Sequence, residues 1–183
     1  ALMVATGRRQ SEIMCSATFD YVDDSHVMFS GQLKRHSDED VTPFEIPTLV
    51  NANAVVSGLN WLINNGKRED DPKLAHNRFS KYLSGMAKKV CNDYITVTLG
   101  DWVFTQSNGK NKDRKNCHIF RQFYAQVCYE LIYEPRGINV KNALTTIMGH
   151  SDSSSSQKSA ADNYNTDIKV KDLDVIGQVV NFV

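Results

Sequence analysis

The chain has 183 residues, 41% hydrophobic and 23% charged, which is ordinary for one globular domain with a core of its own. No apolar run reaches the roughly 18 residues that a membrane-spanning helix needs, and the opening ALMVATGRR has neither the charged start nor the long apolar centre of a secretory leader. Lys and Arg number 21 against 21 Asp and Glu, a balance that counts against a protein coated in phosphate-binding charge.

In chain order, the first residues read as the middle of a helix that runs into a turn at Thr6-Gly7, so a further domain is expected ahead of Ala1. Ala17–Val22 and His26–Gln32 are strand-like and separated by the turn-forming Asp23-Asp24-Ser25, the pattern of a hairpin. A third strand is expected at Phe44–Leu49, completing a small antiparallel sheet. Val50–Asn64 carries Val55, Leu59, Leu62 and Ile63 at helical spacing and ends at Asn65-Gly66. After a charged linker, Lys67–Asp71, a second helix is expected over Asn77–Val90 through Phe79, Tyr82, Leu83, Met86 and Val90. Ile95–Leu99 has the composition of a short strand. Asn116–Ile132 is the strongest helix, with Ile119, Phe120, Phe123, Val127 and Leu131 as one apolar stripe. Asn139–Met148 is another, closed by Gly149. Ser153–Ser156 is a polar loop, Ala160–Asn165 a short helix carrying Tyr164, and Ile168–Val170 with Val175–Val183 an apolar tail that needs a packing partner.

Charge is unevenly spread. Residues 108–121 hold Lys110, Lys112, Arg114, Lys115 and Arg121 against Asp113 alone, while acids gather at Asp38-Glu39-Asp40 and Glu69-Asp70-Asp71. This suits one basic face, although such runs are usually solvated loops. Cys15, Cys91, Cys117 and Cys128 lack the paired spacing of zinc ligands and read as reduced thiols. Asn108-Gly109-Lys110 lacks the remaining glycines of a phosphate loop, so nucleotide use has no support.

Two arginine contexts, two histidines and a late tyrosine carry the chemistry. Arg9 follows the Gly7 turn, with Glu12 three residues on to orient a guanidinium; the plain alternative for Arg8 and Arg9 is surface charge. His118 and Arg121, three apart on a helix, are expected on one face near the core boundary. His150 follows Gly149 at a helix end, where the dipole favours an imidazolium able to donate to a phosphate oxygen; a plain helix cap is the alternative. Tyr164 is the only tyrosine after His150. Breaking a phosphodiester without metal needs a nucleophile, fixed positive donors for the charge on the non-bridging oxygens, and a proton for the leaving oxygen. Tyrosine, paired-donor arginines and lysine or histidine suit those three tasks.

With ATGRRQSEI, VMFSGQLKR, FEIPTL, CHIFRQFYAQV, TTIMGHSD and NYNT in this order, the chain resembles the catalytic domain of tyrosine recombinases. The Gly-Arg-Arg form of the first motif and the FSGQLKR hairpin are most similar to protelomerases, also called telomere resolvases. The resemblance implies an α+β fold, mostly helical with a small antiparallel sheet near the N-terminus, and would make Ile95–Leu99 a loop where its composition reads as a strand. Residues 1–183 would be the DNA breaking-rejoining domain without its N-terminal DNA-binding domain, and 150–183 the nucleophile segment and tail.

The resemblance also implies roles. Arg9 is the first catalytic arginine, Lys34 the lysine that protonates the leaving 5′ oxygen, with Arg35 its neighbour, and His118 and Arg121 the H-x-x-R pair. His150 is the motif histidine and Tyr164 the residue that forms a 3′-phosphotyrosine. Glu12, Lys110, Lys112, Arg114 and Lys115 are supporting or DNA-contacting candidates. No metal and no cofactor are implied. The implied partner is double-stranded DNA at a palindromic site, bound by a homodimer in the cytoplasm of a bacterial or phage-infected cell. The gap from His150 to Tyr164 is longer than the family pattern. Conventional integrase, type IB topoisomerase and a DNA-binding module that kept only the fold are the alternatives.

Overall fold

The short helix α1, Leu2–Thr6, ends where Gly7 turns left-handed at φ 63° and returns its N–H to the Met3 carbonyl. A single π-helical turn follows at Glu12–Ser16, closed by the Ala17 N–H on the Glu12 carbonyl at 2.7 Å. It went unread in the sequence because one wide turn leaves no periodic trace. The computed structural model describes residues 1–33, 42–97, 117–149 and 168–170. Lys34, Arg35, Lys110, Lys112, Arg114, Lys115, His150 and Tyr164 lie outside the described residues, as do Ser153–Ser156, Ala160–Asn165 and Val175–Val183.

Strands β1 (Thr18–Asp23), β2 (His26–Ser30) and β3 (Phe44–Pro47) form the expected antiparallel sheet in the order β1-β2-β3. The register pairs Phe19 with Phe29 and Val27 with Ile46. Val27, Phe29 and Ile46 are fully buried, so strand alternation puts them on the core face.

Helix α2, Ala52–Asn64, starts where the Asn51 side chain accepts from the Asn53 N–H at 2.9 Å, a normal N-cap. It buries Val55 and Leu59 and leaves Ile63 exposed. Helix α3 spans Pro72–Tyr94, beginning five residues before the expected Asn77. The reason is local: Asp71 accepts from the Lys73 and Leu74 N–H groups at 2.7 and 3.0 Å, and proline suits the first helical position. Of its expected apolar face, Phe79, Leu83 and Val90 pack on the core, whereas Tyr82 and Met86 are exposed.

Strand β4, Ile95–Val97, matches the strand composition read there and pairs antiparallel with β5, Ile168–Val170. Helix α4 is shorter than expected, His118–Cys128, and runs into a second π-helical turn at Tyr129–Tyr133 and a 3-10 turn at Glu134–Arg136. Helix α5, Val140–Met148, ends at Gly149, left-handed at φ 66°.

The core has two lobes that meet at α4. Ile119 and Phe120 face the lobe built from α1, the sheet and α2. Tyr124, Ala125 and Cys128 face the lobe shared with Leu144, Ile147 and Met148 of α5. The buried stripe is therefore rotated from the expected one. Leu131 is exposed, because the wider π turn delays its arrival on the core side by about one residue.

Candidate active site

The site is built on the turn after α1. Gly7 is glycine for two reasons: its φ is positive, and a Cβ there would lie 2.1 Å from Cδ1 of Tyr124. Tyr124 is fully buried and donates its hydroxyl to the Pro47 carbonyl at 2.7 Å. The turn is thereby wedged between α4 and the end of β3. Burial, then the adjacent Cys128, pushes the Tyr124 hydroxyl well above its ordinary value, so it stays a neutral donor.

Arg8 and Arg9 leave this turn in different environments. The Arg9 guanidinium pairs with Glu12 at 2.8 Å while its backbone N–H donates to the other Glu12 oxygen at 2.7 Å. About a fifth of its side chain, 19%, stays exposed. Arg8, for which surface charge was the plain alternative, is buried. Its Nε donates to the Thr6 carbonyl at 3.0 Å and one terminal nitrogen to the Ile147 carbonyl at 2.8 Å. Its guanidinium lies 4.9 Å from the Phe29 ring centre and 5.5 Å from that of Phe44. Burial, then repulsion from Arg121, lowers its pKa to about 10, which leaves it charged at neutral pH.

Glu12 is fully buried as well. Burial pushes its carboxyl up. Arg121, Arg9 and Arg8 and the Arg9 backbone N–H outweigh that effect and hold it below the usual value. The carboxylate thus lies in the field of three guanidinium groups and bonds that of Arg9, the arginine it was expected to orient.

Arg121 comes from the first turns of α4 and is 2% exposed. It donates to the Gly7 carbonyl at 2.6 Å and to the Met148 carbonyl at 3.3 Å. His118 is exposed at the start of the helix. Arg121, three residues on and so only about 60° round the helix from His118, is buried where His118 is exposed. The Gly149 position is as tight as Gly7, with a Cβ falling 2.2 Å from the Phe44 ring. Gln32, two residues before Lys34 in sequence, donates to the Gly149 carbonyl at 3.3 Å.

Of the sequence candidates, then, Arg9, Glu12 and Arg121 come together around the Gly7 turn, which Arg121 ties to the end of α5 at Met148, two residues before His150. Arg8 and Gln32 were missed as site residues. The Arg-Arg doublet was the only signal for the first, and the second lay inside the FSGQLKR motif, where Lys34 alone was assigned a role.

The family model of the telomere resolvase ResT/TelK catalytic domain matches residues 1–165. Protelomerases of Yersinia phage PY54 and Klebsiella oxytoca phage phiKO2 are 27% and 28% identical over 158 and 167 residues. Each alignment covers 83% of this chain and 24% of the relative, so the chain spans about a quarter of their length. A mutant of protelomerase TelA complexed with DNA hairpin product shares the fold at TM-score 0.66 and 20% identity, over 90% of this chain and 50% of that one. Protelomerase TelK complexed with substrate DNA does so at 0.57 and 22%, over 86% and 30%. The motif order, the guanidinium cluster at the Gly7 turn and the match along residues 1–165 agree, and the chain belongs to the telomere resolvase ResT/TelK catalytic-domain family.

Proposed function

We propose that this domain cleaves and rejoins DNA at a specific site through a 3′-phosphotyrosine on Tyr164 and reseals the ends as covalently closed hairpin telomeres. The observation that carries the reading is the cluster at the Gly7 turn. Arg9 is held by Glu12 with part of its surface facing solvent, and Arg121 is fixed by the carbonyls of Gly7 and Met148. Guanidinium groups held before substrate arrives favour a phosphorane-like transition state over the ground state, because no reorganisation is needed as charge develops. Membership of the family supports the strand-transfer chemistry, and relatives bound to a DNA hairpin product or to substrate DNA support the outcome.

The remaining roles follow the family pattern. Tyr164 attacks phosphorus, the 5′ oxygen leaves with a proton from Lys34, and His118 and His150 bond the phosphate. The hairpin forms when a 5′ hydroxyl of the opposite strand attacks the phosphotyrosine and releases Tyr164. Lys110, Lys112, Arg114 and Lys115 track the DNA backbone outside the cut. The partner is a palindromic duplex bound by two copies, in the cytoplasm of a bacterial or phage-infected cell, with a further DNA-binding domain ahead of residue 1.

The test is covalent trapping by the full-length gene product on a nicked duplex carrying its own replicon junction. An adduct that survives denaturation and maps to Tyr164, absent in Tyr164→Phe with DNA binding retained, is expected, together with hairpin products on the intact site. No adduct with binding intact would sink the reading in favour of a DNA-binding module. Exchanged strands in place of hairpins would make it an integrase.

A further inference from the structure

A helix leaves its last carbonyls without intrahelical partners. At the end of α5 three successive ones are taken by side chains from three different parts of the chain. Ile147 accepts from Arg8 at 2.8 Å, Met148 from Arg121 at 3.3 Å and Gly149 from Gln32 at 3.3 Å. The next residue is His150. Arg8 belongs to the turn that carries Arg9, Arg121 to α4, and Gln32 stands two residues before Lys34, so three separate segments of the chain are tied to one helix end.

We propose that Arg8 and Gln32 are positioning residues for strand cleavage: with Arg121 they clamp the α5 C-terminus and so set where the chain leaves α5 toward His150 relative to Arg9 and Arg121. The inference rests on the reading of the site given above. Arg8 does not serve as a phosphate ligand, since it is 2% exposed, bonded at two of its nitrogens and enclosed by Phe29 and Phe44. Nor is it a favourable choice for packing alone. It sits beside a like charge on Arg121, and a buried cation is commonly outperformed for stability by an apolar side chain of similar volume. What a methionine or leucine there would not supply is a pair of directed donors, one on the end of α1 and one on the end of α5. Two cations at a helix C-terminus also complement its dipole.

The test uses the full-length protein and its own target duplex, with wild type, Arg8→Met and Gln32→Leu compared for melting temperature, DNA affinity and single-turnover rate of covalent adduct formation. A second substrate carries a neutral methylphosphonate at the scissile position, which lessens the need for well-placed positive donors. Arg8→Met is expected to slow adduct formation about 100-fold, the scale of a misplacement near 1 Å, and Gln32→Leu to slow it less. DNA affinity should stay within about threefold, and the gap to wild type should narrow on the methylphosphonate. Wild-type rates in both variants, a loss equal on the two substrates, or a loss that merely tracks the unfolded fraction would overturn the inference. Should Arg8→Met fail to fold, Gln32→Leu decides alone. Wild type failing to form an adduct would instead overturn the reading of the site, and the inference with it.

Discussion

Arg8 and Arg9 are neighbours in sequence with the same side chain, yet one is enclosed and the other reaches solvent. The difference comes from the left-handed Gly7, which aims successive residues to different sides of the turn. Arg9 and Glu12 were legible because glycine, arginine and glutamate stand at fixed offsets within one local motif. Arg8 was not, since its partners Ile147, Phe29 and Phe44 are brought together only by folding. At this scale Arg121→Lys is expected to lower the rate of adduct formation by about 10²-fold or more with a smaller loss of DNA affinity. A lysine keeps the charge but gives up the fork that bonds Gly7 and Met148; equal rates in a trapping assay would contradict this. Glu12 makes a pH prediction. Its carboxyl is held below the usual value in the fold, so its contribution to stability is present above the unfolded pKa and is lost as pH falls through the folded one. The stability gap between wild type and Glu12→Gln, measured by denaturant titration, should therefore be largest near neutrality and shrink in acid below about pH 4.5. A gap that widens in acid would refute it.

Helices were largely legible as elements, their faces less so. Periodicity located α2, α4 and α5 within a few residues, and the hairpin followed from Asp23-Asp24-Ser25 between alternating strands. The α4 stripe was read as continuing to Leu131, but regular spacing fails where the helix widens into a π turn, and the side chain faces solvent. The start of α3 was missed although Asp71-Pro72 is a recognisable cap, because the apolar spacing begins only later. These placements set two opposite expectations in thermal or urea unfolding. Leu131→Gln should change stability by no more than about 0.5 kcal/mol, as for an exposed site. Tyr124→Phe should cost about 1–2 kcal/mol, since it removes the buried bond to Pro47 and leaves that carbonyl unpaired. A large loss for Leu131→Gln would restore the regular helical face.

Across the whole molecule, the β4–β5 pair matters because of what lies between its parts. Residues 168–170 return to pair with 95–97 at the end of α3, so the described residues on either side of Tyr164, the proposed nucleophile, are held at the end of α5 and in β5. A nucleophile on a segment held at both ends has fewer positions to search before attack. Replacing Lys169 and Val170 with proline removes their strand N–H donors. It is expected to slow adduct formation at Tyr164 while leaving DNA affinity near wild type; unchanged trapping kinetics would show that the pairing has no part in the reaction.

The sequence by itself determined the α+β class, the sheet and the main helices, and it supplied the arginines, histidines and tyrosine proposed to carry the chemistry. Motifs, caps and periodicity are local, and they report on residues a few positions apart. Only the tertiary structure decided which of Arg8 and Arg9 is enclosed, why Gly7 and Gly149 accept no side chain, and how Arg8, Arg121 and Gln32 meet on one helix end. Those outcomes depend on close packing between residues from 27 to 139 positions apart, where a contact of one or two ångströms decides between a fit and a clash.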